Sequence, residues 1–346
     1  MVEPHVVNVF HIAYTWRWML QKEGRCMDKR RIGIGIALAG TVAATTSFAD
    51  DYAFEIGAAY GRDQFNWSSN AIVSGSPVWP DGSIISAADS DTDSLDVTGT
   101  WYFAGLSDDD GPRARAMFVD RASTLSVAYS RSEASNSLVV ASDIPNVPSL
   151  DYQDNTSGDS FGAFGRYVNR SGGWFGQAGV VTTDSTFDGD ATAWSLGVGK
   201  YVLDTTALSL DIGHVEREND GTDIATLGFT HLGSVGESWQ YAVDLGYEYR
   251  DSEILGELHD WQVGVSFYPT RDFEFGVAFS DDESRNPFPK KSVEGFVSWF
   301  ITPKVELGAR YRVDDLDVQP SFTGGGIDAT DDADQDRFGI RLNLRF

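Results

Sequence analysis

Apolar and polar residues alternate one for one along much of this 346-residue chain. In SWQYAVDLGYEYR, Trp239, Tyr241, Val243, Leu245, Tyr247 and Tyr249 fall on one face. Gln240, Ala242, Asp244, Gly246, Glu248 and Arg250 fall on the other. Successive side chains of a strand point to opposite sides of the pleat, so this period predicts β-structure. The last residues repeat it: Phe338, Ile340, Leu342, Leu344 and Phe346 alternate with Gly339, Arg341, Asn343 and Arg345. Fourteen such runs are predicted, at 52–61, 94–104, 123–131, 159–169, 173–182, 191–202, 207–217, 223–232, 238–250, 258–268, 272–281, 291–301, 304–313 and 336–346.

The connections alternate as well. RSGG (170–173), DTT (204–206), TRD (270–272) and TPK (302–304) are turn-length, whereas 62–93, 132–158 and 314–335 are long and acidic. The connection 105–122 breaks the rule by being long where a short turn is due. A large β-sandwich also gives alternating strands, but its apolar face packs into a core. Two features favour a wall in lipid. Trp101, Trp174, Trp239, Tyr249, Trp261, Trp299 and Tyr311 sit near strand ends, where aromatic girdles belong, and the opposite rows are rich in Gly, Ser, Thr and charge. An even number of strands, with short and long connections in turn, predicts an all-β fold, a transmembrane antiparallel β-barrel of about 14 strands. Both termini then lie at the short-turn, periplasmic end. A barrel larger than about eight strands keeps a lumen.

Composition adds an export step. From Met27, the basic residues Lys29, Arg30 and Arg31 precede an apolar run (Ile32 to Val42) and then Ser47-Phe48-Ala49. This is the layout of a cleaved signal peptide over 27–49, with cleavage expected after Ala49. Residues 1–26 read as an extension ahead of the true start, and 50–346 as the barrel domain. Cleavage leaves 20 basic and 49 acidic residues, a net charge of −29 against −26 for the whole chain. It also removes the one cysteine, Cys26, so no disulfide or thiol chemistry is expected. An acidic chain lacks the basic face that phosphate backbones require, which argues against nucleic acid.

The segment DDDGPRARAMFVDRASTLSVAY (108–129) resembles the long first turn of the general bacterial porin family of Gram-negative outer membranes. GWFGQAGV (173–180), YVLDTTALSLDIG (201–213) and VSWFITPKVELGARYR (297–312) are similar to its strand–turn–strand units. The resemblance spans 50–346. It implies a passive channel in the cell outer membrane, with outer-membrane lipid and small hydrophilic solutes as partners. Phe346 resembles the terminal signature by which barrel-assembly machinery recognises its clients. No catalytic residue and no cofactor come with the resemblance.

Three features of the sequence bear on chemistry. GDSFG (158–162) fits G-x-S-x-G, but that motif needs a strand-to-helix elbow, and Ser160 opens a predicted strand. His214, His231 and His259 stand in no partner motif. DADQDR (332–337) places arginine where a calcium loop needs glycine, so no dedicated metal site is expected. The expected pore residues are the inward charges: Glu55, Arg166, Asp211, Asp244, Glu248, Glu274, Glu294, Glu306, Arg310, Arg312 and Arg341, with Arg337 and Arg345. Phe164, Phe175 and Phe296 are the few inward apolar residues. Asp89, Asp91 and Asp93 in one loop and Asp314, Asp315, Asp317, Asp328, Asp331, Asp332, Asp334 and Asp336 in another are expected to form an acidic mouth. Such a mouth concentrates cations. The loop 62–93, with Trp67, Val78 and Trp79, is the expected constriction. A porin preferring cations follows, with a surface adhesin or receptor using its long acidic loops as the alternative.

Overall fold

The structure, a computed structural model, describes residues 52–73, 82–106, 111–142, 150–186, 189–217, 221–236, 238–253, 256–282, 290–316 and 327–346. Fourteen antiparallel strands close into a barrel, each paired to its sequence neighbours and the first to the last. They are β1 (Tyr52–Val73), β2 (Gly82–Leu106), β3 (Thr124–Ser142), β4 (Leu150–Asn169), β5 (Trp174–Ser185), β6 (Gly189–Leu203) and β7 (Thr206–Arg217). Then follow β8 (Gly221–Val235), β9 (Trp239–Ser252), β10 (Gly256–Thr270), β11 (Phe273–Asp282), β12 (Lys290–Thr302), β13 (Val305–Leu316) and β14 (Ile327–Arg345). Closure leaves no sheet edge, so every ladder group finds a partner inside the wall, as lipid demands.

The expected barrel and its strand number are both present. The outward rows are apolar and exposed: Val277 is 48% exposed, Ile212 52% and Leu245 43%. Trp101, Tyr167, Trp174, Trp239 and Trp299 ring the short-turn end of this surface. An apolar band of this extent, bounded by aromatic residues, is a lipid-facing surface. The chain ends meet at that end too. The Phe346 carbonyl accepts from the amides of Ala53 (2.8 Å) and Phe54 (3.1 Å), and the Phe346 amide donates to the Phe54 carbonyl (2.8 Å). The terminal phenylalanine therefore seals the seam between the first and last strands. Tight turns need little more than the right backbone, as at Gly173, whose φ of +67° closes the 170–173 turn.

The long connections differ from expectation. Most of 62–93 and much of 132–158 and 314–335 are strand, not loop. β1 and β2 run on as a hairpin to the pair Val73–Gly82, and β14 pairs with β1 up to Ile327–Val73. β1 to β4 and β14 are 19 to 25 residues long, against 10 to 15 for β5 to β13. The added length is mostly polar, with scattered exposed apolar residues such as Ile85, Val139 and Leu150, and it continues the strands beyond the aromatic-bounded apolar band. On it, the Tyr152 hydroxyl donates to Asp154 (3.1 Å), and that bond raises its pKa above the ordinary tyrosine value.

Candidate functional site

The connection between β2 and β3 does not hang below the barrel. It folds upward into the lumen as a turn at Arg113–Arg115 followed by a short helix, α1 (Ala116–Val119). Its sequence explains its shape. Gly111 takes φ +76°, Pro112 is extended just before the first turn, and Ala114, Ala116 and Met117 favour helix. The turn ends at Arg121, whose φ of +50° is uncommon for a residue with a side chain.

Two apolar clusters hold this plug in place. Ala116, Met117 and Ala122 pack with Tyr52, Tyr102 and Leu106 near the strand from which the segment leaves. Phe118 packs with Val168, Phe175, Tyr201, Ala207, Leu232, Ala242 and Tyr268 from the wall β4 to β10. Polar anchors then span the mouth. The Arg113 amide donates to the Arg271 carbonyl (3.1 Å), and its guanidinium pairs with Asp272. Arg345 donates to the Arg113 carbonyl (3.2 Å). The Tyr201 hydroxyl donates to the Phe118 carbonyl (3.3 Å), and Arg121 pairs with exposed Asp204 (2.6 Å).

The deepest anchor is Arg115, only 4% exposed. Its Nη2 donates to Asp244 (2.7 Å) and its Nε to the Tyr268 hydroxyl (2.7 Å). Both partners lie on the opposite side of the barrel from β2. The segment therefore crosses the periplasmic opening from wall to wall.

Above the plug, the inward charges form paired groups. Glu306 accepts from Ser298 (2.5 Å), Asn343 (3.0 Å) and Arg341, while Arg345 bonds Glu55 (2.7 Å). Asp314 lies between Arg312 (2.6 Å) and Arg337 (3.3 Å), and Arg337 also meets Asp63 (3.1 Å). Arg250 joins Glu248 (2.6 Å) to Asp260 (3.1 Å). Gln177 donates to Asp211 (2.5 Å), and Arg166 lies 4.1 Å over the Phe175 ring and donates to Tyr201 (3.0 Å). Glu274 accepts from Tyr268 (2.8 Å), and Glu294 is registered opposite Arg312. Inward glycines make room for these side chains to lie along the wall. A Cβ at Gly339 would stand 2.9 Å from Arg310 Nε, and one at Gly276 would stand 2.3 Å from the Phe296 ring.

Two expectations about this site change. The described parts of 62–93 are strand and not a constriction: Trp67 is paired with Ala88 and Ala333, and Val78 and Trp79 lie outside the described residues. The plug is instead 111–122. Nor do the aspartates form a loop around the mouth. Asp89, Asp91 and Asp93 continue the outward row of Leu95 and Val97 on β2, and Asp93 accepts from Tyr60 (2.7 Å) on that face. Asp315, Asp334 and Asp336 likewise occupy the outward rows of β13 and β14. Asp314 is buried, and Asp328, Asp331 and Asp332 are registered along β14 opposite β1. Asp317 lies outside the described residues. The inward arginines are neutralised locally: Arg312, Arg337, Arg341 and Arg345 each have a carboxylate partner.

Ser160 sits inside β4 with its hydroxyl 2.9 Å from that of Thr183, far from any strand-to-helix elbow. Arg113, Arg115, Phe118 and Tyr268 escaped the sequence reading as site residues. The signal was the anomalous length of 105–122, which carried three arginines and a phenylalanine where a turn needs neither.

By sequence, no protein-family profile and no curated protein matches the chain. By structure, it is similar to the Acinetobacter baumannii outer membrane protein Omp33. That match has a TM-score of 0.50 at 17% identity and covers 86% of this chain and 99% of that one. Further matches are the KdgM porin (TM-score 0.35, 8% identity, 55% of this chain, 93% of that one) and Acinetobacter baumannii OccAB4 (0.34, 8%, 84% and 98%). The fold of this chain is a closed fourteen-stranded outer-membrane barrel, similar to that of Omp33.

Proposed function

We propose that the protein is an outer-membrane channel for small hydrophilic solutes, held closed at its periplasmic end by residues 111–122. One observation carries the reading: a barrel with an apolar, exposed outer face encloses a wall of polar and charged residues whose only packed filling is that plug among the described residues. A barrel of this size with a charged interior is a water path once its filling moves. Glu55, Arg166, Asp211, Asp244, Glu248, Glu274, Glu294, Glu306, Arg310, Arg312 and Arg341 line that path. Conductance of the refolded mature protein in planar bilayers tests it. Replacing 111–122 with a tight turn raises the current, and absence of current in that variant refutes the channel.

Cation preference belongs to the same reading, although its source moves. It rests on the acidic faces of the long strands, not on a ring of loops. Fixed carboxylates near an entrance raise the local cation concentration, and added salt screens them, with a Debye length of about 10 Å at 0.1 M and about 3 Å at 1 M. Reversal potentials under a potassium chloride gradient check this. An adhesin or receptor would use the same long strands as its contact surface, but it needs no conduction in any variant. Export through the 27–49 signal with cleavage after Ala49, and recognition of Phe346 by the assembly machinery, complete the proposal. Mass spectrometry of the mature N-terminus tests the first of these.

A further inference from the structure

We propose that the wall pocket now filled by the Arg115 guanidinium is a subsite for solutes bearing guanidinium or ammonium groups, which Arg115 occupies as an internal mimic. The inference rests on the channel reading above. Everything that receives Arg115 belongs to the wall and not to the plug. Asp244 of β9 accepts from both terminal nitrogens (2.7 and 3.4 Å), Tyr268 of β10 accepts from Nε (2.7 Å), and Ser266 lies at 3.5 Å. Thr230 of β8 donates to Asp244 (2.9 Å) and so fixes the carboxylate plane. The Tyr268 hydroxyl in turn donates to Glu274 of β11 (2.8 Å), so a second carboxylate backs the first. The pocket is complete without the segment that fills it.

Its chemistry selects its ligand. A planar, forked cation satisfies a carboxylate through two parallel hydrogen bonds, and an ammonium satisfies it through one. An anionic group would meet Asp244 and Glu274. The pocket residues are at most 9% exposed while Arg115 is in place, and carboxylates left there without a cation would be costly. Once the plug withdraws, lumen water and the nearest matching cation take its place. The approach is built alike: two inward positions above Asp244, Glu248 and its cross-strand neighbour Asp260 are bridged by Arg250. A solute carrying the same group thus competes with Arg115, binding the wall and favouring the withdrawn plug together. A ligand shifts such an equilibrium only through its different affinity for the two states, and here one state has no vacant pocket.

Single-channel recording of the mature protein tests this. Arginine or guanidinium chloride raises the open probability of the wild type above that in sodium chloride at equal ionic strength, whereas sodium glutamate does not. Arg115→Met conducts without a ligand, and arginine interrupts its current in a concentration-dependent way. Adding Asp244→Asn weakens that block by about tenfold or more, the scale of a hydrogen bond to a charged group. Heat-modifiable gel migration confirms folding, and the wild-type comparison needs no variant. Equal responses to guanidinium and sodium, or a block in Arg115→Met indifferent to Asp244, overturn the subsite but leave the channel. Absence of current after 111–122 is replaced by a tight turn overturns both.

Discussion

Two walls of the same barrel obey different solvents. From β5 to β13, strands of 10 to 15 residues alternate apolar and polar along most of their length. From β14 through β1 to β4, the lower halves do the same and the upper halves do not: 82–93 of β2 reads GSIISAADSDTD. A strand needs about 9 to 11 tilted residues to cross a bilayer. The 25 residues of β2 therefore extend well beyond lipid, into water on both faces. Lipid imposes a two-residue period and water does not. The ladder holds the upper wall together, supplemented by cross-strand bonds such as Ser90 to Asn136 (2.8 Å).

The largest expected effect lies where the two walls meet. Glu306→Ala removes the carboxylate that joins β12, β13 and β14 and breaks its buried ion pair with Arg341, so about 3–5 kcal/mol of stability should be lost. Urea unfolding of vesicle-inserted protein measures it. A loss below about 1 kcal/mol would mean that water already satisfies this seam.

Next comes one substitution placed in both walls. Leu245→Arg, mid-strand on the lipid face of β9, should cost about 2–4 kcal/mol. Val139→Arg, equally outward but high on β3, should change stability by no more than about 0.5 kcal/mol. Equal costs would place the upper wall in lipid and erase the distinction.

On the inner face, position decides again. Gly246 has only Gln262 Cβ at 3.9 Å beside it, so Gly246→Arg should assemble normally. Ala242 is fully buried in the Phe118 cluster, so Ala242→Arg should expel the plug and raise conductance. Gel migration and bilayer current read the two outcomes. The sequence alone treats these neighbours as equivalent lumen positions.

The smallest effect tests the tall wall itself. Replacing 64–91 with a two-residue turn removes the upper β1–β2 hairpin with Asp89 and Asp91. Insertion and unfolding midpoint should hold, because the excised pairs lie above the band. The reversal potential should shift modestly towards zero. An unchanged potential would remove the acidic wall as the origin of cation preference.

The sequence by itself determined whatever lipid enforces locally. Periodicity predicts strands at 238–250, 258–268 and 272–281, and the structure has β9 at Trp239–Ser252, β10 at Gly256–Thr270 and β11 at Phe273–Asp282. In these strands each residue's face follows from its neighbour's, so periodicity alone suffices. Only the tertiary structure decided the tall wall, whose residues satisfy water on both sides and carry no period. Only it placed 111–122 in the lumen. Arg115 meets Asp244 and Tyr268 across 129 and 153 residues of chain, and barrel closure, not local sequence preference, brings them within 2.7 Å. The same closure set the inward arginines beside Glu55, Asp63, Glu306 and Asp314, because a carboxylate on an adjoining strand lies nearer than any across the lumen.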